Sequence, residues 1–211
     1  MKSHKISYVL SIVYLALLCG VLSSCNKKQP KFTNIPSDGV ILAFGDSLTV
    51  GNGTTIDNSY PSVLAKLSGH KIINAGISGE TTTDGLSRFA KVLDNTKPNL
   101  VIIMEGGNDV LQNQDPKVTK QNLVDMIQEA RSAGVQVMLV GTPTKSIMSS
   151  KPAKIYEEVA KQTRVFYDSS TIASIFGDKN LKSDIVHFNT EGYKQMAEKF
   201  YTELKNNGAL N

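Results

Sequence analysis

Ser47 stands where a buried strand would end, in the sequence Gly-Asp-Ser at positions 45–47. The run before it, Val40–Phe44, is apolar throughout, which is typical of a parallel strand covered on both faces. In open α/β sheets the C-terminal ends of the strands border the binding crevice. A serine at this place can act as a nucleophile. Asp46 and Ser47 are also residue types that cap helices, so this motif alone leaves both interpretations open.

A serine hydroxyl needs a neighbouring base, and that base needs a third group to orient it. The chain has three histidines. His4 lies in the N-terminal leader and His70 in a polar turn at the wrong end of the predicted sheet, which leaves His187 as the base. Asp184, three residues earlier, can hold one imidazole nitrogen while the other faces Ser47. The predicted chemistry is acyl transfer, with a solvated Asp-x-x-His loop as the structural alternative.

Acyl transfer also needs hydrogen-bond donors for the oxyanion that forms on the substrate. Two glycine-containing segments, at 74–82 and 105–109, follow the second and third predicted strands. The predicted donors are the backbone N–H groups of Ser47 and Gly79 and the side-chain amide of Asn108. Each has a structural alternative, because glycine permits tight turns and asparagine caps helices. Their common position at one predicted sheet edge favours a site.

Motifs of several other enzyme classes do not occur in this sequence. The Gly-x-Ser-x-Gly elbow of α/β-hydrolases is missing, and no P-loop or dinucleotide fingerprint follows the first strand. Asp46, Asp109 and Asp184 could be considered as metal ligands, but no second histidine or cysteine accompanies them. The sequence therefore predicts no metal site.

These residues must be positioned by an alternation of strands and helices. Strands are predicted at Val40–Phe44, Lys71–Ala75, Asn99–Glu105, Val135–Val140 and Arg164–Tyr167, and helices at 59–69, 83–93, 116–133, 152–162 and 190–205. Such alternation predicts an α/β fold with a parallel sheet covered on both faces, a three-layer α/β/α arrangement. Five strands favour the flavodoxin-like order 2-1-3-4-5, whose crevice lies beside the first strand.

The composition is that of an ordinary globular domain. The 211 residues carry a formal charge of +4, and no basic run with interleaved aromatic residues occurs, so nucleic acid is not an expected partner. Met1–Lys5 is basic and Ile6–Leu22 is almost wholly apolar or small, which is typical of a secretory signal. An uncleaved membrane anchor is the alternative, although the segment is at the short end of what spans a bilayer.

The leader ends in Leu-Ser-Ser-Cys at 22–25, which resembles the lipobox of bacterial lipoproteins. That resemblance implies a signal peptide over 1–24, a diacylated Cys25 as mature N-terminus and a membrane held through this lipid. Asn26 in place of aspartate implies a periplasm-facing protein of the outer membrane. The polar stretch at 25–38 is predicted to be a tether, and the hydrolase domain to span 39–211. The other cysteine, Cys19, follows a bulky leucine, which does not fit the cleavage pattern. Both cysteines lie within the leader or at its end, so the domain itself has no thiol.

The four blocks together resemble the SGNH (GDSL) hydrolases. The family's serine, glycine, asparagine and histidine correspond to Ser47, Gly79, Asn108 and His187, and the resemblance runs from about residue 40 to the last helix. The segment at 74–81 is most similar to the bacterial thioesterase/lysophospholipase/arylesterase subgroup. This implies a cofactor-free enzyme that cleaves carboxylic esters and, in some members, thioesters.

Two departures from that subgroup concern the loops. The last block reads Val-His-Phe-Asn at 186–189 where the subgroup commonly has Ile-His-Pro-Asn, and the loop at 142–151 is short and polar. The predicted function is an esterase for short acyl or aryl esters, with lysophospholipids favoured by the membrane tether. A carbohydrate or peptidoglycan O-acetyl esterase and a non-catalytic binding lipoprotein are the alternatives.

Overall fold

The apolar runs form one parallel five-stranded sheet in the order β2-β1-β3-β4-β5, as predicted. The computed structural model describes residues 29–143 and 152–211. Its strands are β1 (Val40–Gly45), β2 (Lys71–Gly76), β3 (Leu100–Met104), β4 (Gln136–Val140) and β5 (Phe166–Asp168). Gly45 pairs with Gly76 on one side and with Met104 on the other, so the ends of β1, β2 and β3 meet at one edge.

Helices connect the strands and cover both faces of the sheet. They are α1 (Ser47–Val50), α2 (Tyr60–Ser68), α3 (Thr82–Thr96), α4 (Gly107–Leu111), α5 (Pro116–Ser132), α6 (Lys154–Thr163), α7 (Thr171–Phe176) and α8 (Thr190–Asn206). The predicted helices are present with ends that differ by a few residues. Strand β5 begins later than predicted because Arg164 adopts a left-handed backbone conformation, φ +55°, as the C-cap of α6.

Alternate side chains of each central strand enter two separate hydrophobic cores. In β1, Ile41 belongs to the core beneath α2 and α8, whereas Leu42 and Phe44 belong to the core beneath α3, α5 and α6. Phe44 packs edge-on against Phe89 of α3, with 4.7 Å between ring centroids. The three-layer α/β/α fold predicted from the sequence is confirmed.

The segment at 29–38 lies against the domain, which differs from the tether expected there. Ile35 is 2% exposed and belongs to the core beneath α8. Its N–H donates to the Ala209 carbonyl, and the Thr33 backbone exchanges two hydrogen bonds with the Gln136 side chain. The apolar Phe32 packs against Phe166 of β5, with 4.9 Å between ring centroids. The buried Ile35 and the partly buried Phe32 fix this stretch to the domain.

The leader and Cys25 lie outside the described residues, as does most of the loop at 142–151. Within 29–143 and 152–211, no helix combines the length and the hydropathy that a bilayer crossing requires.

Candidate active site

Ser47 lies at the C-terminal end of β1, as the first residue of the short helix α1. Asp46 is the N-cap of this helix, and its Oδ1 accepts the N–H of Leu48 at 3.0 Å. The capping interpretation is therefore correct for Asp46. The Ser47 hydroxyl instead lies 3.0 Å from His187 Nε2.

His187 and Asp184 complete a hydrogen-bonded relay with Ser47. His187 Nδ1 lies 2.7 Å from Asp184 Oδ2, and Asp184 Oδ1 accepts the backbone N–H groups of Val186 and His187 at 2.8 Å each. The hydrogen bond from His187, with help from these N–H donors, lowers the pKa of Asp184 to about 2. An ionised Asp184 accepts a hydrogen bond from the Nδ1–H group of His187. Nε2 is then the unprotonated ring nitrogen and can accept the Ser47 hydroxyl.

The loop that carries His187 is fixed by Phe188, the residue that departs from the subgroup pattern. Phe188 is fully buried and packs edge-on against Phe176 and Tyr193, each with centroids 5.7 Å apart. Ser183 N–H donates to the His187 carbonyl at 3.1 Å and closes the loop. An aromatic side chain thus holds the histidine loop to the α7 and α8 helices.

His70, the histidine that the sequence analysis set aside, does not line the cleft. Its Nδ1 lies 3.0 Å from the carbonyl of Ser68, two residues earlier.

The two predicted oxyanion donors outside α1 lie beside Ser47. The N–H of Ile77 donates to the Gly45 carbonyl at 2.9 Å and ties the Gly79 loop to the serine turn. Gly79 has φ +82°, a left-handed conformation that glycine adopts without steric cost. Asn108 Nδ2 donates to the Glu80 carbonyl at 2.9 Å. This bond uses one of its two N–H groups. Among the described residues, Nδ2 makes only one other contact, a long one of 3.5 Å to Asp46 Oδ2, which a substrate oxyanion can replace.

Ser47, His187 and the predicted donors line one cleft of about 280 Å³. Its wall also contains Pro143, from the loop at 142–151, and apolar side chains that the sequence analysis missed: Leu48, Val110, Leu111, Phe176 and Val186. Val110 and Leu111 directly follow the Asn-Asp pair, and Leu111 is 57% exposed. A helix as short as α4 or α7 has too few residues for a recognisable apolar period, which is why these positions carried no signal.

The three aspartates that were weighed as metal ligands have separate structural partners. Asp46 caps α1 and Asp184 holds His187. Asp109 accepts the N–H of Thr82 at 2.8 Å and the Thr119 hydroxyl at 3.0 Å. Among the residues that the structure describes, no three His, Cys, Asp or Glu side chains are grouped as metal ligands would be.

Asp46 is nonetheless electrostatically unusual. It is 4% exposed, and burial, opposed by the Leu48 N–H and by His187, raises its pKa to about 6. Its Oδ2 lies 3.5 Å from Asn108 Nδ2, which is too long for a strong hydrogen bond. The negative charge of Asp46 is therefore weakly compensated directly behind the nucleophile.

A doubly wound α/β sheet with a Ser-His-Asp relay at the C-terminal edge defines a serine hydrolase architecture. The chain belongs to the GDSL-like lipase/acylhydrolase family, whose sequence profile matches residues 43–195.

Two relatives illustrate the range of this family. The chain is 37% identical to the esterase TesA of Pseudomonas aeruginosa over 106 residues, which cover 48% of this chain and 53% of that protein. It is 36% identical to the uncharacterised lipoprotein YqeF of Bacillus subtilis over 114 residues, 47% of this chain and 46% of the other. The matches thus span about half the length of these relatives.

Solved structures agree over a longer stretch. A crystal structure of TesA superposes with a TM-score of 0.73 at 28% identity and covers 79% of this chain and 98% of its own. The esterase EstA of Pseudoalteromonas sp., solved with monoethylphosphonate as inhibitor, gives 0.71 at 25% identity and covers 80% and 98%.

Proposed function

We propose that the protein is a serine esterase that cleaves carboxylic esters through an acyl-enzyme. The observation that carries the proposal is the relay of His187 Nε2 to Ser47 Oγ at 3.0 Å and of His187 Nδ1 to Asp184 at 2.7 Å. Both distances lie within the range that proton transfer requires. Gly79 and Asn108 line the same cleft, where a substrate carbonyl oxygen would receive their hydrogen bonds.

In the first half of the reaction, His187 Nε2 takes the hydroxyl proton while Ser47 Oγ bonds to the ester carbonyl carbon. The carbonyl oxygen becomes an oxyanion and accepts hydrogen bonds from the Ser47 and Gly79 N–H groups and from Asn108. The intermediate then expels the alkoxide, which takes the proton from His187. Asp184 stays ionised, because its pKa is about 2, and stabilises the imidazolium while it exists.

In the second half, water enters and His187 accepts one of its protons. The hydroxide adds to the acyl carbon, the second oxyanion collapses, and Ser47 Oγ leaves with the proton from His187. The products are a carboxylic acid and an unchanged enzyme. Each step uses backbone and side-chain groups of this chain together with the substrate and one water molecule.

Labelling with a serine-directed phosphonate tests the nucleophile. The reagent should attach to Ser47, and Ser47→Ala and His187→Ala should each lose nearly all turnover, because the members of such a relay act as a unit. Ser78 is a matched control in the same cleft, since its hydroxyl donates to Asn52 Oδ1 at 3.1 Å and has no histidine partner. Ser78→Ala should still be labelled. Full activity in Ser47→Ala would end this proposal.

The substrate class follows from the cleft. Its apolar wall and volume of about 280 Å³ suit a short acyl or aryl group. The alternative, an O-acetyl esterase for glycans, shares the chemistry and differs in the alcohol. Comparing acetate release from acetylated glycan with hydrolysis of aryl and phospholipid esters separates the two. A non-catalytic binding role has less support, because the relay between Ser47, His187 and Asp184 is unbroken.

We also propose that the protein is a lipoprotein of the bacterial cell envelope, attached through Cys25. The lipobox-like sequence at 22–25 supports this, as does the similarity to the lipoprotein YqeF. Asn26 favours the outer membrane with the domain in the periplasm. The domain itself would then meet small esters or membrane lipids as substrates.

A further inference from the structure

A buried cluster of ionisable side chains lies beneath the two loops that carry the oxyanion donors. It consists of Glu80, Arg88 and Glu105. Glu80 follows Gly79 directly, and its side chain is 3% exposed. Glu105 comes three residues before Asn108 and is fully buried. Each donor loop therefore contributes one carboxyl group, and the proposed mechanism uses neither.

Arg88 of α3 neutralises one of the two carboxyl groups. Its Nε donates to Glu80 Oε1 at 2.6 Å, and its Nη2 donates to Glu80 Oε2 and, at 2.8 Å, to the carbonyl of Ala75 at the end of β2. The guanidinium carbon lies 4.1 Å from the Phe44 ring centroid. A bidentate pair of this kind fixes both the position and the plane of the Glu80 carboxylate.

Glu105 has the hydrogen-bonding pattern of a neutral acid. Its Oε2 accepts the N–H of Gly106 at 3.2 Å, whereas its Oε1 is buried and accepts no N–H or hydroxyl group of the residues that the structure describes. A Cβ placed on Gly85 would lie 3.6 Å from Glu80 Oε2 and 3.7 Å from Glu105 Cδ, so both carboxyl groups converge on this glycine. The Glu105 side chain forms a hydrogen bond with the Glu80 side chain. Such a bond requires a proton on one of the two carboxyl groups, and Glu105 Oε1 can carry it.

The surrounding charges favour that protonated form. Burial, followed by the nearby carboxylates of Asp46 and Glu80, raises the pKa of Glu105 well above its ordinary range. Arg88 is committed to Glu80, and the Tyr156 hydroxyl donates to the Glu105 backbone carbonyl, not to its side chain. Two carboxylates beside one guanidinium would leave an uncompensated buried charge, which is costly.

This cluster reaches the oxyanion hole through the Glu80 backbone. The Glu80 carbonyl accepts a hydrogen bond from Asn108 Nδ2 at 2.9 Å, which sets the plane of that amide. We propose that Glu80, Arg88 and Glu105 are positioning residues for the oxyanion hole, with a shared proton between the two carboxyl groups joining the Gly79 loop to the Asn108 loop. The proposal rests on the proposed esterase function.

Variants of Glu105 separate positioning from simple packing. Glu105→Gln keeps an N–H donor toward Glu80 and an acceptor for Gly106, so kcat should stay within about twofold of wild type. Glu105→Leu fills the space but leaves the Gly106 N–H without its acceptor and removes the Glu105 contact of the Glu80 carboxylate, which then keeps only Arg88 among its described partners. We expect its kcat to fall roughly tenfold with little change in KM, because small displacements of a positioned group reduce turnover strongly. Equal kcat values in the two variants would overturn the proposal.

A double-mutant cycle with Asn108→Ala tests whether the effect passes through that amide. If Glu105 acts by positioning Asn108, adding Glu105→Leu to Asn108→Ala should lower kcat by less than about threefold further. A second full tenfold loss would contradict this route. Should Glu105→Leu fail to fold, Glu80→Gln provides the same cycle, because it weakens the Arg88 pair and the contact with Glu105 together.

A readout independent of activity follows from the shared proton. The folded protein holds the Glu105 proton more tightly than the unfolded chain, so the free energy of unfolding should fall as pH rises above the ordinary value of 4.5 toward the raised pKa. Glu105→Gln does not titrate and should lack that part of the fall. Identical pH profiles of stability for the wild type and Glu105→Gln would contradict a shared proton.

Two controls keep this test distinct from that of the proposed function. Glu158→Gln breaks the solvent-accessible pair with Lys120 between α5 and α6, neither of which lines the cleft, and should leave kcat unchanged. Failure of the esterase proposal would appear as activity in Ser47→Ala. Failure of the positioning proposal would appear as wild-type kcat in Glu105→Leu of an enzyme that still depends on Ser47.

Discussion

Leu111 is the cleft residue through which acyl-chain preference can be tested most directly. The cleft has a volume of about 280 Å³, which is at the small end of the roughly 300–1,000 Å³ typical of ligand sites. A cleft of this size suits a short acyl chain. Each buried methylene contributes about 0.8 kcal/mol, or nearly fourfold in kcat/KM. We therefore expect kcat/KM to rise from acetate to hexanoate and to level off by octanoate.

Leu111→Ala should reduce the rise of kcat/KM with acyl-chain length and leave hydrolysis of acetate nearly unchanged. Leu111 is 57% exposed in the free protein, so its contact with an acyl chain is partial and the expected loss is about 0.5–1 kcal/mol. That corresponds to a two- to fivefold lower kcat/KM for hexanoate with acetate nearly unchanged. Val118→Ala is a matched control, because Val118 is also apolar and 46% exposed but lies on α5 outside the cleft wall.

The assay is hydrolysis of p-nitrophenyl esters from acetate to palmitate, each below its micellar concentration. Wild-type enzyme, Leu111→Ala and Val118→Ala are compared on the same series. A kcat/KM that still climbs beyond octanoate would refute the short-chain argument and favour the lysophospholipase alternative. An equal loss of acetate and hexanoate hydrolysis in Leu111→Ala would show that Leu111 shapes the catalytic geometry and not the acyl pocket.

Three further predictions concern the donor amide, the buried aspartate and the lipid. Asn108→Ala should lower kcat by roughly 10²–10³ with little change in KM or melting temperature; lost stability with retained kcat would make Asn108 a structural cap. Asp46 holds its proton more tightly when folded, with a pKa of about 6 against 3.8, so it should reduce the free energy of unfolding by up to about 3 kcal/mol as pH rises through that window. Urea unfolding at pH 4 and 7 should show a smaller fall in Asp46→Asn, and an equal fall would contradict the shift. Mass analysis of the membrane-extracted protein should find an acylated N-terminus at Cys25, which Cys25→Ala abolishes; a chain still beginning at Met1 would indicate an uncleaved anchor.

The sheet and the placement of the site were predictable because both depend on strong local patterns. Buried parallel strands give continuous apolar runs, and the residues after β1, β2 and β3 necessarily meet at one edge. Ser47 and His187 are 140 positions apart, yet the family resemblance and the elimination of His70 selected this pair. The helix ends followed from caps such as Gly69, which has φ +71°.

The supporting residues could not be predicted because their partners are distant in the sequence and of ordinary type. Arg88 and Glu80 are eight positions apart, and this spacing gives no local sign that the two charged side chains form a partly buried pair. The role of Glu105 depends on its complete burial, and glutamate is a residue type that is rarely buried. The burial of Ile35 was equally unpredictable, because a single isoleucine in a polar stretch with Pro30 and Pro36 gives no sign that it enters the core.

The stretch before β1 also protects the edge of the sheet. β5 is an edge strand of three residues, and the backbone of its middle residue, Tyr167, faces away from β4. The Gln29 side chain closes that position, since its Oε1 accepts the Tyr167 N–H at 2.8 Å and its Nε2 donates to the Tyr167 carbonyl at 2.9 Å. One amide side chain thus takes the place of a neighbouring strand.

An unpaired strand edge is a template on which a second chain can add, and aggregation begins at such edges. The proposed lipid anchor would hold copies of the protein at high local density, where an open strand edge favours aggregation most. The residues at 29–38 would then prevent self-association by covering the edge of β5. Recombinant forms that begin at residue 39 would expose β5 and be expected to aggregate, whereas forms that retain Gln29 would remain dispersed.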